Sequence, residues 1–184
     1  MLSEDLMPKE IFFTKGAGRH VHRLQSFELA LREAGIEKQN LVRVSSIYPT
    51  SAKIIPAKDG IAKLRPGAIT FVVLAEASTD EPNRLICAGV GLAIPKNHAY
   101  GYIAEHHGHG MTEKRTEDLV EDMSATMLAT TLGIVLDAEK AWDEREQEYK
   151  ASGEIVKTRS FVQTAEGDKL GLWTSVVAAA VFIL

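Results

Sequence analysis

Cysteine is almost missing from this 184-residue chain: Cys87 stands alone. No intrachain disulfide is therefore possible, and a reducing compartment is the default setting. Cys87 sits in the apolar stretch Leu85–Val90 and reads as a small buried hydrophobe. Long hydrophobic runs are missing too. The most apolar segment, Leu172 to Leu184, spans 13 residues, where a membrane-crossing helix needs about 20. The opening Met1-Leu2-Ser3-Glu4-Asp5 shows no basic region ahead of an apolar core, so no secretory leader is expected, and the expectation is a soluble, cytoplasmic protein. Charge of one sign is scarce: 21 Lys and Arg face 25 Asp and Glu, for a net charge of −4. That balance speaks against a nucleic-acid surface, which would show a clustered basic stripe, and mildly favours a small cationic ligand. Internal repeats and low-complexity tracts are also lacking.

What remains is ordinary globular material, 45% hydrophobic and 25% charged. The length suits a single domain, 1–184, able to bury about two-thirds of its unfolded surface without staples. Ile11–Thr14 predicts a short strand, and Lys15-Gly16-Ala17-Gly18 a turn. From His22 to Ala34, Leu24, Phe27, Ala30, Leu31 and Ala34 recur at helical spacing, with Gly35 as a C-cap. Leu41–Ser45 predicts a strand stopped by Pro49, and residues 49–67 an extended linker crossing a sheet. Ala68–Ala77 and Leu85–Ile94 predict a hairpin around Ser78–Asn83, and Tyr100–His106 another strand. Thr112 is an N-cap for a helix over 113–131, with Leu119, Val120, Met123, Met127 and Leu128 on one face. The charged segment Asp137–Lys150 predicts a second, solvated helix or an extension, in which Trp142 is either a local hydrophobic anchor or a contact to a partner subunit. Glu154–Thr164 and Gly171–Ile183 predict a closing hairpin around Glu166-Gly167-Asp168. Strands predominate and most links are short, which suggests an α+β sandwich rather than a doubly wound parallel sheet.

The pair Ser45-Ser46 carries a specific chemical possibility beside the bland one of hydroxyls bonded to nearby backbone. The Ser46 hydroxyl can attack the carbonyl of Ser45, turning the peptide bond into an ester. β-Elimination then frees the Ser45 carboxylate and leaves a dehydroalanine, which hydrolyses to a pyruvoyl cap. The reaction needs a bent backbone and donors for the developing oxyanion. A pyruvoyl ketone forms a Schiff base with a substrate amine and draws off the electrons released when the α-carboxylate leaves. A proton donor must then quench the resulting carbanion.

The run Asn40-Leu41-Val42-Arg43-Val44-Ser45-Ser46-Ile47-Tyr48-Pro49 resembles the self-processing segment of the pyruvoyl-dependent arginine decarboxylases. So do Gly16-Ala17-Gly18 through Ser26–Leu31 to Ala34-Gly35-Ile36, then Ala93-Ile94-Pro95-Lys96, Gly101–Glu105 and Ala178-Ala179-Ala180. The resemblance covers most of residues 10–132 and the last strand. It implies a four-layer αββα sandwich and a trimer of processed αβ units with active sites between neighbours. Cleavage would give a β subunit of residues 1–45 and an α subunit of 46–184. It further implies a covalent pyruvoyl cofactor from Ser46, with Ser45 as the new C-terminus and Asn40 assisting processing. Glu105 would donate the proton to Cα, which requires that it stay protonated through burial. Glu28 would hold the guanidinium of L-arginine as a bidentate partner. It is one methylene longer than the aspartate expected at that place. The reaction implied is arginine to agmatine and carbon dioxide.

Three other readings compete. A pyruvoyl enzyme could act on another amino acid. A binding module could share the fold without processing. A metal-dependent hydrolase could use His106, His107 and His109, which Glu105 could join, and His20 and His22 form a second close pair; yet adjacent strand residues point to opposite faces and no His-Glu-x-x-His pattern occurs. Lys15-Gly16-Ala17-Gly18-Arg19 lacks the third glycine of a dinucleotide fold and the Lys-Ser/Thr of a phosphate loop.

Overall fold

The computed structural model describes residues 6–96, 99–134 and 153–184; the expected helix over 137–150, with Trp142, lies outside them. The described chain runs β1 (Glu10–His20), α1 (Arg23–Glu33), β2 (Asn40–Arg43), β3 (Ile47–Tyr48), β4 (Lys53–Ile54), α2 (Ala57–Ile61), β5 (Ile69–Thr79), β6 (Leu85–Pro95), β7 (Gly101–His109), α3 (Glu113–Thr131), β8 (Ile155–Glu166) and β9 (Trp173–Ile183). It is a mixed α+β fold with two sheets. One has the order β2-β5-β9-β1-β4, the other β3-β7-β6-β8.

Both helices foreseen from periodicity form within a residue of their expected bounds. α1 ends in paired bonds, Gly35 N–H to Arg32 and Ile36 N–H to Leu31, with Gly35 at φ +75°, the glycine-dependent termination expected there. Thr112 caps α3 by accepting from the Arg115 N–H. The buried face of α3 is nevertheless Thr116, Val120, Ser124, Ala125 and Leu128, with Met123 and Met127 only half-buried at its margin. Likewise Leu24 of α1 is exposed rather than turned to the core.

The two expected hairpins do not exist. β5 pairs antiparallel with β9, and β6 pairs with β7 and β8. Residues 80–84 and 167–172 are therefore crossings between sheets. They meet at one end, where Asn83 N–H donates to Gly167 and Gly167 N–H to Arg84. A polar turn between two apolar strands looks the same in sequence whether the strands share a sheet or face each other across a core. The supposed turn at residues 15–18 is the middle of β1. A Cβ on Gly16 would lie 2.3 Å from the Ala30 carbonyl oxygen, and one on Gly18 2.3 Å from that of Ser26. These glycines bring α1 against the strand.

Among the described residues the core is three apolar clusters. The largest lies between the sheets and joins Ile11, Phe13, Val73 and Ala178 to Val90, Leu92 and Ile103; Phe13 stacks on Phe161 at 4.3 Å. A second joins Phe12, Val72 and Val181 to Ala30 and Ile36 beside α1 and α2. A third packs α3 on Ala93. β9 is central and buried, as its small residues Ala178-Ala179-Ala180 allow. Among the described residues no helix is long and apolar enough to cross a membrane.

Candidate active site at the crossing between the sheets

Residues 49–67 were expected to cross a sheet; the crossing that matters comes slightly earlier. β2 belongs to one sheet and β3 to the other, so the chain passes between them at Val44-Ser45-Ser46. The strand expected to reach Ser45 stops at Arg43, because the segment must leave one ladder to join the next. Both ends of the crossing are fastened. Val44 N–H donates to Val72 of β5 at 2.9 Å, and the Ser46 carbonyl accepts from Ile103 of β7 at 2.8 Å. Upstream, the Arg43 guanidinium donates to the Leu74 carbonyl at 3.0 Å and the Glu76 carboxylate at 2.6 Å. Downstream, the buried Tyr48 hydroxyl donates to the Ala52 carbonyl, and burial raises its pKa. These anchors are mostly backbone groups, so no side-chain motif announced them. Arg43 was in view, but only as part of a strand pattern.

Between the anchors, Ile47 N–H donates to the Ser45 carbonyl at 3.0 Å, closing a three-residue turn about Ser46. Ser45 is exposed and Ser46 half-buried. A cavity of about 520 Å³ opens beside the turn, lined by Val44, Ser45, Ile47, Pro49, Phe71 and Tyr100 among others.

The other candidate residues are distributed unevenly. Glu105 lies on β7 two residues past Ile103, about 7 Å along the strand, and shares the face of Ile103. It is exposed, not buried, on the part of β7 beyond the two residues, Gly101 and Tyr102, that pair with β3. Asn40 opens β2 at the far end from the crossing, and its amide donates to the Gly67 carbonyl at 2.8 Å rather than to Ser45. Glu28 sits on α1, paired with Arg32 at 2.5 Å, its side chain 41% exposed. Within one chain, then, Ser45, Ser46 and Glu105 share a neighbourhood that Asn40 and Glu28 do not enter.

His106 and His107 alternate along β7, opposite Gly89 and Ala88. Among the described residues no three His, Cys, Asp or Glu side chains come together as a metal-holding group. His106 Nε2 is buried without a hydrogen-bond partner, and burial, then the neighbouring His107, lowers its pKa.

The model of the pyruvoyl-dependent arginine decarboxylase family matches residues 10–184. The chain belongs to that family. It is 56% identical over 178 residues to a probable pyruvoyl-dependent arginine decarboxylase of Chloroherpeton thalassium, covering 96% of this chain and 98% of the relative. It is also 56% identical to pyruvoyl-dependent arginine decarboxylase 2 of Methanosarcina mazei, covering 97% and 98%. A third relative, pyruvoyl-dependent arginine decarboxylase of Methanococcoides burtonii, is 51% identical and covers 97% and 100%. A family that carries a pyruvoyl group needs a serine placed for backbone cleavage. Ser46, at the bend of an anchored crossing and with its acyl carbonyl already held by an N–H, fits that need.

Proposed function

We propose that the chain cleaves itself between Ser45 and Ser46 and decarboxylates L-arginine to agmatine and carbon dioxide. The observation that carries this reading is the placement of the Ser45–Ser46 bond: bent, clamped on both sides, and next to a cavity. The carbonyl attacked is the one to which Ile47 N–H donates at 3.0 Å, so a donor is aimed at the oxygen that gains charge. The anchors at Val72 and Ile103 hold the segment while the bond rearranges; afterwards the first holds the β-subunit end at Val44 and the second the new α-subunit terminus.

The pyruvoyl group formed from Ser46 supplies an electron-accepting carbonyl. The chain's own residues supply the rest. Glu105 brings a carboxyl group to the same stretch of β7 for delivery of a proton to Cα. In one chain it is exposed; a neighbouring protomer over this surface would shield it from water. Several large apolar side chains surround the crossing and are exposed: Leu6, Met7, Val44, Ile47 and Tyr100. They support a covering neighbour, as does the position of Asn40 and Glu28 outside this neighbourhood. We therefore place the site between protomers of a trimer of αβ units, with Asn40 assisting processing. Glu28 already accepts a guanidinium, that of Arg32, and a substrate guanidinium would take its place. The three apolar clusters, one between sheets and two beneath helices, support the four-layer αββα arrangement. The remaining assignments are one domain over 1–184, subunits 1–45 and 46–184, and a cytoplasmic location, the last resting on the lone buried Cys87.

Carbon dioxide release from arginine, lysine, ornithine, histidine and aspartate tests the substrate. Arginine should be turned over and the others left; release from another amino acid in preference to arginine would contradict the assignment. Glu28→Ala should raise KM for arginine about tenfold or more, the scale of one lost charge-assisted contact, while self-cleavage proceeds.

A further inference from the structure

On the other side of β3 from the cavity at Ser45 lies a second one of about 680 Å³. Ile47 lines the first and Tyr48 the second, as alternation along a strand requires. Its walls carry four cations drawn from three parts of the chain: Lys53 on β4, Lys96 just past β6, and Lys157 and Arg159 on β8. Among the described residues no carboxylate lines it; the remaining described wall is Tyr48, Ser51, Ala52, Ile54, Ile94, Pro95 and Ala99. Among the described residues none of the four cations is in an ion pair, whereas seven other pairs form elsewhere. In a chain of net charge −4, such a concentration of uncompensated positive charge is not the average of the surface.

Edge strands often carry lysines simply to discourage pairing with other chains, and β4 and β8 are edges. The pattern on β8 argues for more than that. Phe161 points between the sheets, stacked on Phe13, and Arg159 and Lys157 continue that inward side where the sheets splay apart. The alternate positions Thr158 and Ser160 are uncharged, and Ser160 instead donates to Glu121 of α3. The charge is thus confined to the face that lines the cavity. Converging cations repel one another, and a concave wall with apolar floor strengthens the field they share.

We propose that this cavity binds a small oxyanion bearing two or more negative charges, carried on phosphoryl or carboxylate groups. The anion sits between Lys53 of one sheet and Lys96, Lys157 and Arg159 at the β6–β8 side of the other, against the back of the strand that follows Ser46. Arg159 offers a planar fork and the lysines compact charges. This site is separate from the one that takes arginine.

Titration calorimetry of the full chain with inorganic pyrophosphate and with citrate, at constant ionic strength, tests it. One equivalent of at least one probe should bind, more weakly as salt rises. A preference for pyrophosphate marks a phosphoryl ligand and a preference for citrate a polycarboxylate. The double variant Lys157→Gln/Arg159→Gln should weaken binding at least about tenfold, and Lys53→Gln, on the opposite wall, should weaken it independently. Lys58→Gln, on α2 outside the cavity, should change nothing. Absence of binding by both probes, or unchanged affinity in either cavity variant, overturns the proposal. Binding is read directly, so the result stands apart from whether arginine is decarboxylated.

Discussion

At the residue scale the proposed function rests on a few atoms whose company the fold decides. In the proposed self-cleavage, Ser46 would gain its chemistry from the Ile47 N–H on the carbonyl before it and from the anchors on either side. Arg43 is a positioning residue in this scheme: its fork fastens the end of β2 to Leu74 and Glu76. Arg43→Ala should slow the appearance of the 1–45 fragment several-fold in a time course. Arg43→Lys should recover only part of the rate, since an ammonium lacks the fork; equal rates in all three proteins would remove Arg43 from the account. His106 gives a pH prediction. Burial and His107 keep its folded pKa below the ordinary value near 6.5, so the unfolded chain takes up the proton first. Stability should be unaffected above that value, fall as pH drops through 6.5 toward the lower folded pKa, and level off below it. Denaturant midpoints at about pH 7.5 and about pH 5 measure the loss, and His106→Gln should shrink the difference.

At the scale of elements, periodicity served well where an element contacts one neighbour and poorly where partners had to be chosen. α1 and α3 were legible because their caps are local: Gly35 and Thr112 act within one turn of the helix. Thr112→Ala should cost about 1 kcal/mol, visible as a Tm decrease of roughly 2–4 °C. The hairpins were misread because pairing is non-local, and β5 with β9 joins residues about a hundred positions apart. The glycines of β1 were misread for a related reason. Gly16 and Gly18 look like turn residues in sequence and are instead the floor on which α1 lies. Gly16→Ala places a Cβ against Ala30 backbone and should destabilise by about 2 kcal/mol or more, lowering Tm by roughly 4–8 °C. An unchanged Tm would mean that α1 can lift from the strand at little cost.

For the whole molecule, two sheets face each other and the chain changes sheet repeatedly; the proposed cleavage lies on one such change. Ser46 was legible in part from the chemistry open to a serine pair. Glu105, Asn40 and Glu28 were legible only through family resemblance, and in one protomer neither Asn40 nor Glu28 reaches the crossing. That separation and the exposed apolar rim at Val44, Ile47 and Tyr100 predict an assembly. Light scattering of the purified protein should give the mass of three processed protomers, and a monomer at working concentration would contradict the placement of the site.

The central claim is a bond broken by the chain itself. Mass spectrometry of the purified protein under denaturing conditions reads it directly. The account predicts two polypeptides, one ending at Ser45 and one beginning at the converted Ser46, and a single uncut chain for Ser46→Ala. A wild-type chain intact from Met1 to Leu184, or a Ser46→Ala chain cut at the same place, would contradict it.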